Sequence, residues 1–207
     1  INLKSGDVTW DIFVDDESKL ISKKIIQTST LLKELSTMSK GMVVNNRNDI
    51  LTDKPMKKSY PFLLGNCMSR YFYHYDKYAH YEKLDIIGGT RDLKKHLATP
   101  RLLIRRTGKT LCATYSDKKE LIESTIYILR SKKVNLKFLL GLINSKLFSF
   151  YLSKRLITNV QGFPQVLMGQ LEQLPIKKIN PENSSEKSKH DSIIRQVDNL
   201  LQLNKDL

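Results

Sequence analysis

The sequence predicts an α/β protein of the mixed α+β kind, with short strands packed on helices. Three observations carry this. The apolar-basic run Arg101-Leu102-Leu103-Ile104-Arg105-Arg106 reads as a strand, closed by the tight turn Thr107-Gly108-Lys109-Thr110 and followed by strand-like runs at 111–115 and 124–129. A strongly apolar helix is predicted over 136–152, where Phe138, Leu139, Leu142, Ile143, Leu147, Phe148, Tyr151 and Leu152 cover a broad arc. Near the end of the chain Ile193, Ile194, Val197, Leu200, Leu201 and Leu207 mark an amphipathic helix. Stretch 101–154 therefore reads as a core that presents a basic surface, and no catalytic group is obvious in it.

Taken in order, Val8-Thr9-Trp10-Asp11-Ile12-Phe13-Val14 predicts a short strand. Asp15, Asp16 and Glu17 suit the first turn of a helix, because acids there oppose the positive end of its dipole. Leu20, Ile21, Ile25 and Ile26 follow at helical spacing. Further helical turns are expected through Leu31, Leu32 and Leu35, then a turn into a strand across 38–44. Asn45-Asn46-Arg47-Asn48-Asp49 is a polar loop, since Asn and Asp side chains bond to nearby backbone. An apolar segment opens at Pro61-Phe62-Leu63-Leu64-Gly65-Asn66.

The aromatic cluster at 71–81 alternates through 71–75, which favours a half-buried strand with tyrosine hydroxyls at its rim. The functional reading of the same cluster is an aromatic-basic surface for nucleic acid. His74 and His80 are six apart and do not share a helical face, which argues against a metal pair. Between 91 and 109 the basic residues are Arg91, Lys94, Lys95, Arg101, Arg105, Arg106 and Lys109, with Asp92 the one acid. The run spans a helix, a break at Pro100 and a strand. It is either a solvated face or one patch built from several elements. Asn135 is placed to cap the apolar helix. Gln161-Gly162-Phe163-Pro164-Gln165 is a loop, and Leu171-Glu172-Gln173-Leu174-Pro175-Ile176 ends one short element and begins another.

These readings divide the chain into a domain over 1–180, with a lead-in at 1–37, a polar linker at 181–189 and a helix at 190–207. At 207 residues the chain suits one domain, or one with an appendage. A hydrophobic content of 40% supports a real core. The 35 Lys and Arg against 21 Asp and Glu give a net charge of +14 and a pI near 9.7. That excess points to a polyanionic partner, nucleic acid first and an anionic membrane surface second. From Glu182 onward five acids meet four bases, so the excess belongs to the body of the chain. No apolar run approaches the ~20 residues of a membrane-spanning helix. No apolar region of a signal peptide follows Ile1-Asn2-Leu3-Lys4. Cys67 and Cys112 lack metal-ligand spacing, which suits a reduced, cytoplasmic protein. A first residue other than Met suggests an excised piece of something longer.

Most catalytic motifs are missing. Gly108-Lys109-Thr110 resembles the end of a phosphate-binding loop, but the glycine required five positions earlier is Leu103. There is no nucleophile elbow, no His-Glu-x-x-His and no paired Cys-x-x-Cys. Metal-dependent nucleases need clustered carboxylates, and Glu120 and Glu123 read as ordinary exposed acids. Asn180-Pro181-Glu182 does not supply the Asn/Asp-Pro-Pro-aromatic tetrapeptide of an amino-group DNA methyltransferase. The expectation is a chain that binds and does not catalyse.

Arg105-Arg106-Thr107-Gly108-Lys109-Thr110, then Thr125-Ile126-Tyr127-Ile128-Leu129, then the run from Phe138 through Asn144-Ser145-Lys146 to Tyr151, resemble the TaqI-like C-terminal specificity domain. Phe163-Pro164-Gln165 and 171–176 continue the match in order, and Met38-Ser39-Lys40-Gly41 and 61–66 extend it upstream. Asn66 departs from the pattern, where a basic residue is expected. The resemblance implies a mixed α/β domain: a mainly antiparallel or mixed sheet flanked by helices, with a C-terminal amphipathic helix. It also implies the target-recognition domain of a type IIG restriction-modification enzyme or an adenine-specific DNA methyltransferase, in a prokaryotic cytoplasm. Its partners would be double-stranded DNA and a covalently linked N-terminal methyltransferase domain or partner subunit. No cofactor is expected in this chain; the parent enzyme would use S-adenosylmethionine, and Mg2+ if it cleaves. Arg101, Arg105, Arg106 and Lys109 are the expected backbone contacts, joined by Arg91, Lys94 and Lys95 and then by Arg70 and Lys77. Gln161, Phe163 and Gln165 are expected near the recognition surface. Strand alternation sends Arg105 and Arg106 to opposite faces, so one of them is expected to be structural. The unmatched region 68–99 is where the choice of sequence is expected to reside. The competing reading is an interaction module that docks on a methyltransferase or partner subunit through its terminal helix, its basic face only solubilising.

Overall fold

The computed structural model of the protein describes residues 16–108, 110–153 and 165–205. The strand expected at 8–14, and Lys109, Gln161 and Phe163, lie outside the described residues. The chain begins with α1 (Asp16–Gln27), β1 (Ser29–Leu31), α2 (Leu32–Leu35), β2 (Thr37–Lys40), β3 (Val43–Val44) and α3 (Arg47–Ile50). Short strands follow: β4 (Tyr60–Leu63), β5 (Met68–Ser69), β6 (Phe72–Tyr73), β7 (Tyr78–Ala79) and β8 (Ile86–Gly88). After α4 (Leu93–Leu97) come β9 (Arg101–Arg105), β10 (Ala113–Ser116), β11 (Leu121–Ile122) and β12 (Ile126–Arg130). The last elements are α5 (Leu136–Ile143), α6 (Lys146–Tyr151), α7 (Met168–Glu172), β13 (Pro175–Lys177) and α8 (Ser184–Leu203).

The central sheet has the order β10-β9-β12-β2, each strand antiparallel to its neighbour. Side chains alternate across a strand, so Leu102 and Ile104 of β9 face one way and Arg101, Leu103 and Arg105 the other. The first pair joins Ala113, Tyr127 and Leu129 against Phe138, Leu139 and Leu140 of α5 in the main core. Leu103 joins Ile126 and Ile128 against Leu63, Cys67, Met68 and Ile122. Burial on both faces explains why β9 is apolar throughout its middle. The second face carries a loop-rich outer layer, in which β4 pairs in parallel with β11 and antiparallel with β7. The β3–β8 and β5–β6 pairs complete this layer, and β1 pairs with β13 to tie the lead-in to the C-terminal segment.

The helix expected over 136–152 is two helices. Asn144 ends α5, and Ser145 caps α6 by accepting from Phe148 N at 3.1 Å. The buried Asn144 amide donates to Ala113 O and accepts from Ala113 N, both at 2.9 Å. It thereby pairs both backbone groups of Ala113 on the edge strand β10, whose carbonyl also accepts from Tyr71 N. Asn135 caps α5 as expected. α8 lies on α5 where Gly141 leaves room: a Cβ there would meet Ile193 Cγ2 at 2.7 Å. α8 begins at Ser184, capped by Asn183, so most of the expected linker at 181–189 is helix. The expected strand through 71–75 reduces to β6, and the polar loop at 45–49 runs into the short α3.

Candidate nucleic-acid interface

The chain leaves β9 through Arg106, Thr107 and Gly108, whose φ of 123° is a left-handed value that favours glycine. The turn is sewn down on two sides. Arg106 N donates to Thr125 O at 2.8 Å, Val166 N donates to Arg106 O at 2.8 Å, and Thr107 bridges Gln165. Gln165 therefore sits beside the turn, exposed.

Three arginines surround this turn. Arg105 donates from Nε to Thr107 O and from Nη1 to Met68 O, both at 3.0 Å. Arg106 donates from Nε to the Tyr127 hydroxyl at 3.1 Å, from Nη1 to Ser124 O at 2.9 Å and from Nη2 to Gln165 Oε1 at 3.3 Å. Its guanidinium lies over the Tyr127 ring, 5.5 Å from the centroid. Arg70, exposed at the two-residue turn between β5 and β6, donates from Nε to Leu111 O at 3.0 Å. The paired arginines do diverge, Arg105 toward β5 and Arg106 toward 124 and 165. Both are anchored, not just one. Hydrogen bonds to a charged group contribute about 1.5–3 kcal/mol each, so these contacts fix the guanidiniums before any partner arrives.

The other expected contacts are placed elsewhere. Arg101 is a correction: it is fully buried and salt-bridged to Glu120, which is also fully buried. It cannot reach a phosphate without dismantling the core. Glu120 and Glu123 are likewise not exposed acids. Glu123 accepts from Ser124 Oγ and Thr125 N, both at 3.1 Å, and holds the start of β12. Lys77 is ion-paired with Asp53, and that hydrogen bond holds its ammonium above the usual lysine range. Arg91, Lys94 and Lys95 are exposed in or just before α4 and form a second group. Asp92 caps that helix through Lys94 N. His96 fastens it to β11: its Nδ1 accepts from Ile122 N at 3.1 Å, and its Nε2 is 2.8 Å from Thr90 O. That pattern requires the neutral ring with its proton on Nε2, and burial lowers the His96 pKa accordingly.

The sequence reading missed Tyr73. Its hydroxyl donates to Glu120 and lies 3.1 Å from Ser116 Oγ. Burial first, and then the Glu120 charge, push its pKa far above the ordinary tyrosine value. The outer aromatic segment is thus pinned to the Arg101–Glu120 pair. The tyrosine alternation signals burial, but nothing in the sequence names Glu120 as the partner. Among the described residues no three His, Cys, Asp or Glu side chains gather to hold a metal ion, and no helix is long and apolar enough to cross a membrane.

The described residues thus form an antiparallel sheet backed by helices, with a loop-rich outer layer and an arginine-held turn at one end. The model of the TaqI-like C-terminal specificity domain matches residues 60–176, more than half of the chain, and the protein belongs to that family. Solved structures share its fold. The HsdS subunit from Thermoanaerobacter tengcongensis aligns with a TM-score of 0.53 at 14% identity, over 91% of this chain and 46% of that one. A structure addressing complex assembly of the type I R-M system aligns at 0.51 and 11% identity, over 92% and 47%. The Type IIL restriction-modification enzyme MmeI, solved in complex with DNA, aligns at 0.55 and 10% identity, over 79% and 28%. The chain therefore spans half or less of each of these structures. No curated protein matches the sequence.

Proposed function

We propose that this chain is the DNA target-recognition domain of a restriction-modification enzyme, binding duplex DNA sequence-specifically with no catalysis of its own. The observation that carries the reading is the turn after β9 in a specificity-domain fold. Arg70, Arg105 and Arg106 are gathered there and held by carbonyl oxygens beside the exposed Gln165. Such groups suit phosphate contact and register, while side chains of the outer layer read base edges in the major groove. The solved relatives named above include a restriction-modification enzyme in complex with DNA, which supports the same reading. Double-stranded DNA is the proposed partner, with a methyltransferase domain or subunit linked or docked alongside. S-adenosylmethionine belongs to that neighbour. Mg2+, if the parent enzyme cleaves, would belong to that neighbour as well.

The test is duplex binding by the full 207-residue chain from 50 to 200 mM salt. If six phosphates are neutralised, the log–log slope is roughly −5. A folded chain that binds no duplex at low salt would sink the proposal. A second reading, docking on a partner subunit, is favoured by α8, where Leu200 and Leu203 are 38% and 62% exposed. Charge reversal at Arg105 and Arg106 separates the two readings, since it abolishes DNA binding and leaves a partner bound at α8.

A further inference from the structure

A second basic feature lies at the other end of the central sheet. Arg105 pairs with Ile126 and Leu102 with Leu129, so β12 ends with Arg130 at the end where β9 begins. There the chain leaving β12 meets the turn between α2 and β2, and the two enclose a cleft of about 550 Å3. Lys33, Arg130, Lys132 and Lys133 line it, with Glu34 the one acid.

The cleft is braced by its own backbone. Ser131 Oγ donates to Leu35 O at 2.6 Å and accepts from Lys133 N and Val134 N, both at 3.1 Å. Lys133 Nζ donates to Glu34 O at 2.6 Å, across 99 residues of sequence. Lys33, Arg130 and Lys132 have no ion pair with any described residue. Gathering like charges in one concavity costs Coulomb energy, and focusing their field there raises the local concentration of an anion. Ser36, Thr37 and Thr99 add hydroxyl groups to the same wall.

We propose that this cleft is a second phosphate-binding site, which takes phosphodiester groups of a nucleic-acid strand separately from the arginine turn. Its natural ligand rests on the duplex-binding reading; its phosphate chemistry does not. Arg101 and Arg105 are four strand steps apart, about 13 Å at ~3.3 Å each. A duplex touching both ends would therefore cover on the order of four phosphates of one strand between them.

The experiment compares the full wild-type chain with K33Q/K132Q, which alters only exposed side chains, and with R130Q. Thermal unfolding first confirms that each is folded. One arm titrates pyrophosphate and follows backbone amide NMR shifts at 130–133. The other measures duplex affinity from 50 to 200 mM salt. The wild type is expected to show saturable shifts at 130–133 that both variants lose. The duplex salt slope of K33Q/K132Q is expected to be shallower by about two, at ~0.9 per phosphate. Lost pyrophosphate shifts with an unchanged duplex slope would assign the same site to a free phosphate ligand. Absence of wild-type shifts together with unchanged slopes overturns the proposal. If the wild type binds no duplex at all, the recognition-domain reading fails, and the pyrophosphate arm still decides the cleft.

Discussion

Replacing Glu120 by glutamine is expected to cost the fold about 3–5 kcal/mol, the usual penalty for stripping one partner from a buried ion pair. Arg101 and Glu120 side chains are both 0% exposed. Arg101 Nη2 also donates to Lys118 O at 3.2 Å and Glu120 O at 3.3 Å, while Nε and Nη1 have no partner among the described residues. Burial lowers the Arg101 pKa and the Glu120 charge opposes that shift, so the glutamine variant leaves a desolvated guanidinium with no opposite charge, held only by carbonyl oxygens. For a chain of this size each kcal/mol moves Tm by about 2–4 °C, which puts the expected fall at roughly 6–20 °C. Removing both charges in R101M/E120L is expected to cost less than E120Q, because no buried charge is left unpaired; the remaining loss comes from the Tyr73 and Ser116 hydroxyls, which lose their acceptor. Urea unfolding of wild type, R101M, E120L and R101M/E120L closes a double-mutant cycle, with E120Q measured alongside. The wild type and R101M/E120L also test the site assignment. A buried Arg101 contacts no phosphate, so the duplex salt slope of R101M/E120L should equal that of the wild type. An E120Q loss below about 1 kcal/mol, or a double variant as unstable as E120Q, would refute the packing argument. A slope shallower by about one would return Arg101 to the DNA.

Arg106→Gln breaks the bonds to Ser124 O and the Tyr127 hydroxyl. It should weaken duplex binding and lower stability by about 1–3 kcal/mol, whereas K94E/K95E on α4 should weaken binding with stability unchanged; anisotropy and urea titrations read both. Folding lowers the His96 pKa, so the unfolded chain binds a proton that the folded ring refuses. Stability from this site is therefore complete above the ordinary value of about 6.5 and is lost as pH falls below it. Urea midpoints between pH 8 and 5 should show that loss in the wild type and not in His96→Leu. Gly89 has φ 74°, and a Cβ there would lie 2.0 Å from Gly41 O, so Gly89→Ala should cost at least ~2 kcal/mol through strain and clash together. Substituting exposed residues of 69–99 should leave Tm within a few degrees yet shift target preference in a randomised-duplex selection; an unchanged preference would move base reading to the turn side.

The parts of the fold that were legible are those where one local pattern decides the structure. β9 shows as an apolar run because both its faces are buried, and Asn135 shows as a cap because its side chain reaches Lys137 N and Phe138 N directly. Asn183 with Glu186 three residues on is an equally local start signal for α8, masked by the Ser, Glu and Lys composition around it, which reads as a linker. The break at Asn144 was hidden by apolar spacing that continues through Leu147, Phe148 and Tyr151. Its only trace is a polar Asn-Ser pair inside an apolar run. The role of Arg101 was illegible for a different reason. Charge reads as surface until its partner is known, and Glu120 reaches it only after β9 and β10 have folded back. The two-residue strands of the outer layer carry no periodicity of their own, and tertiary pairing sets them.

The same division bears on the proposed choice of target. Between Ser69 and Thr99 only Ala79 and His96 are buried. Large losses of stability come mainly from buried positions, and exposed substitutions usually stay within about 0.5 kcal/mol. The outer layer is therefore free to change side chains at little cost to the core. It is nonetheless held in place at a few points: Tyr73 on Glu120, Tyr71 N on Ala113 O, and His96 on Ile122 N. Of these, the Tyr71 N–Ala113 O bond is backbone at both ends, which any sequence supplies, while Tyr73 and His96 anchor through their side chains. On the recognition-domain proposal, a layer held at a few fixed residues and otherwise exposed would alter what it reads without losing where it sits. The arginine turn, sewn to Thr125 and Val166 in the framework, would on the same proposal keep the grip constant while that happens.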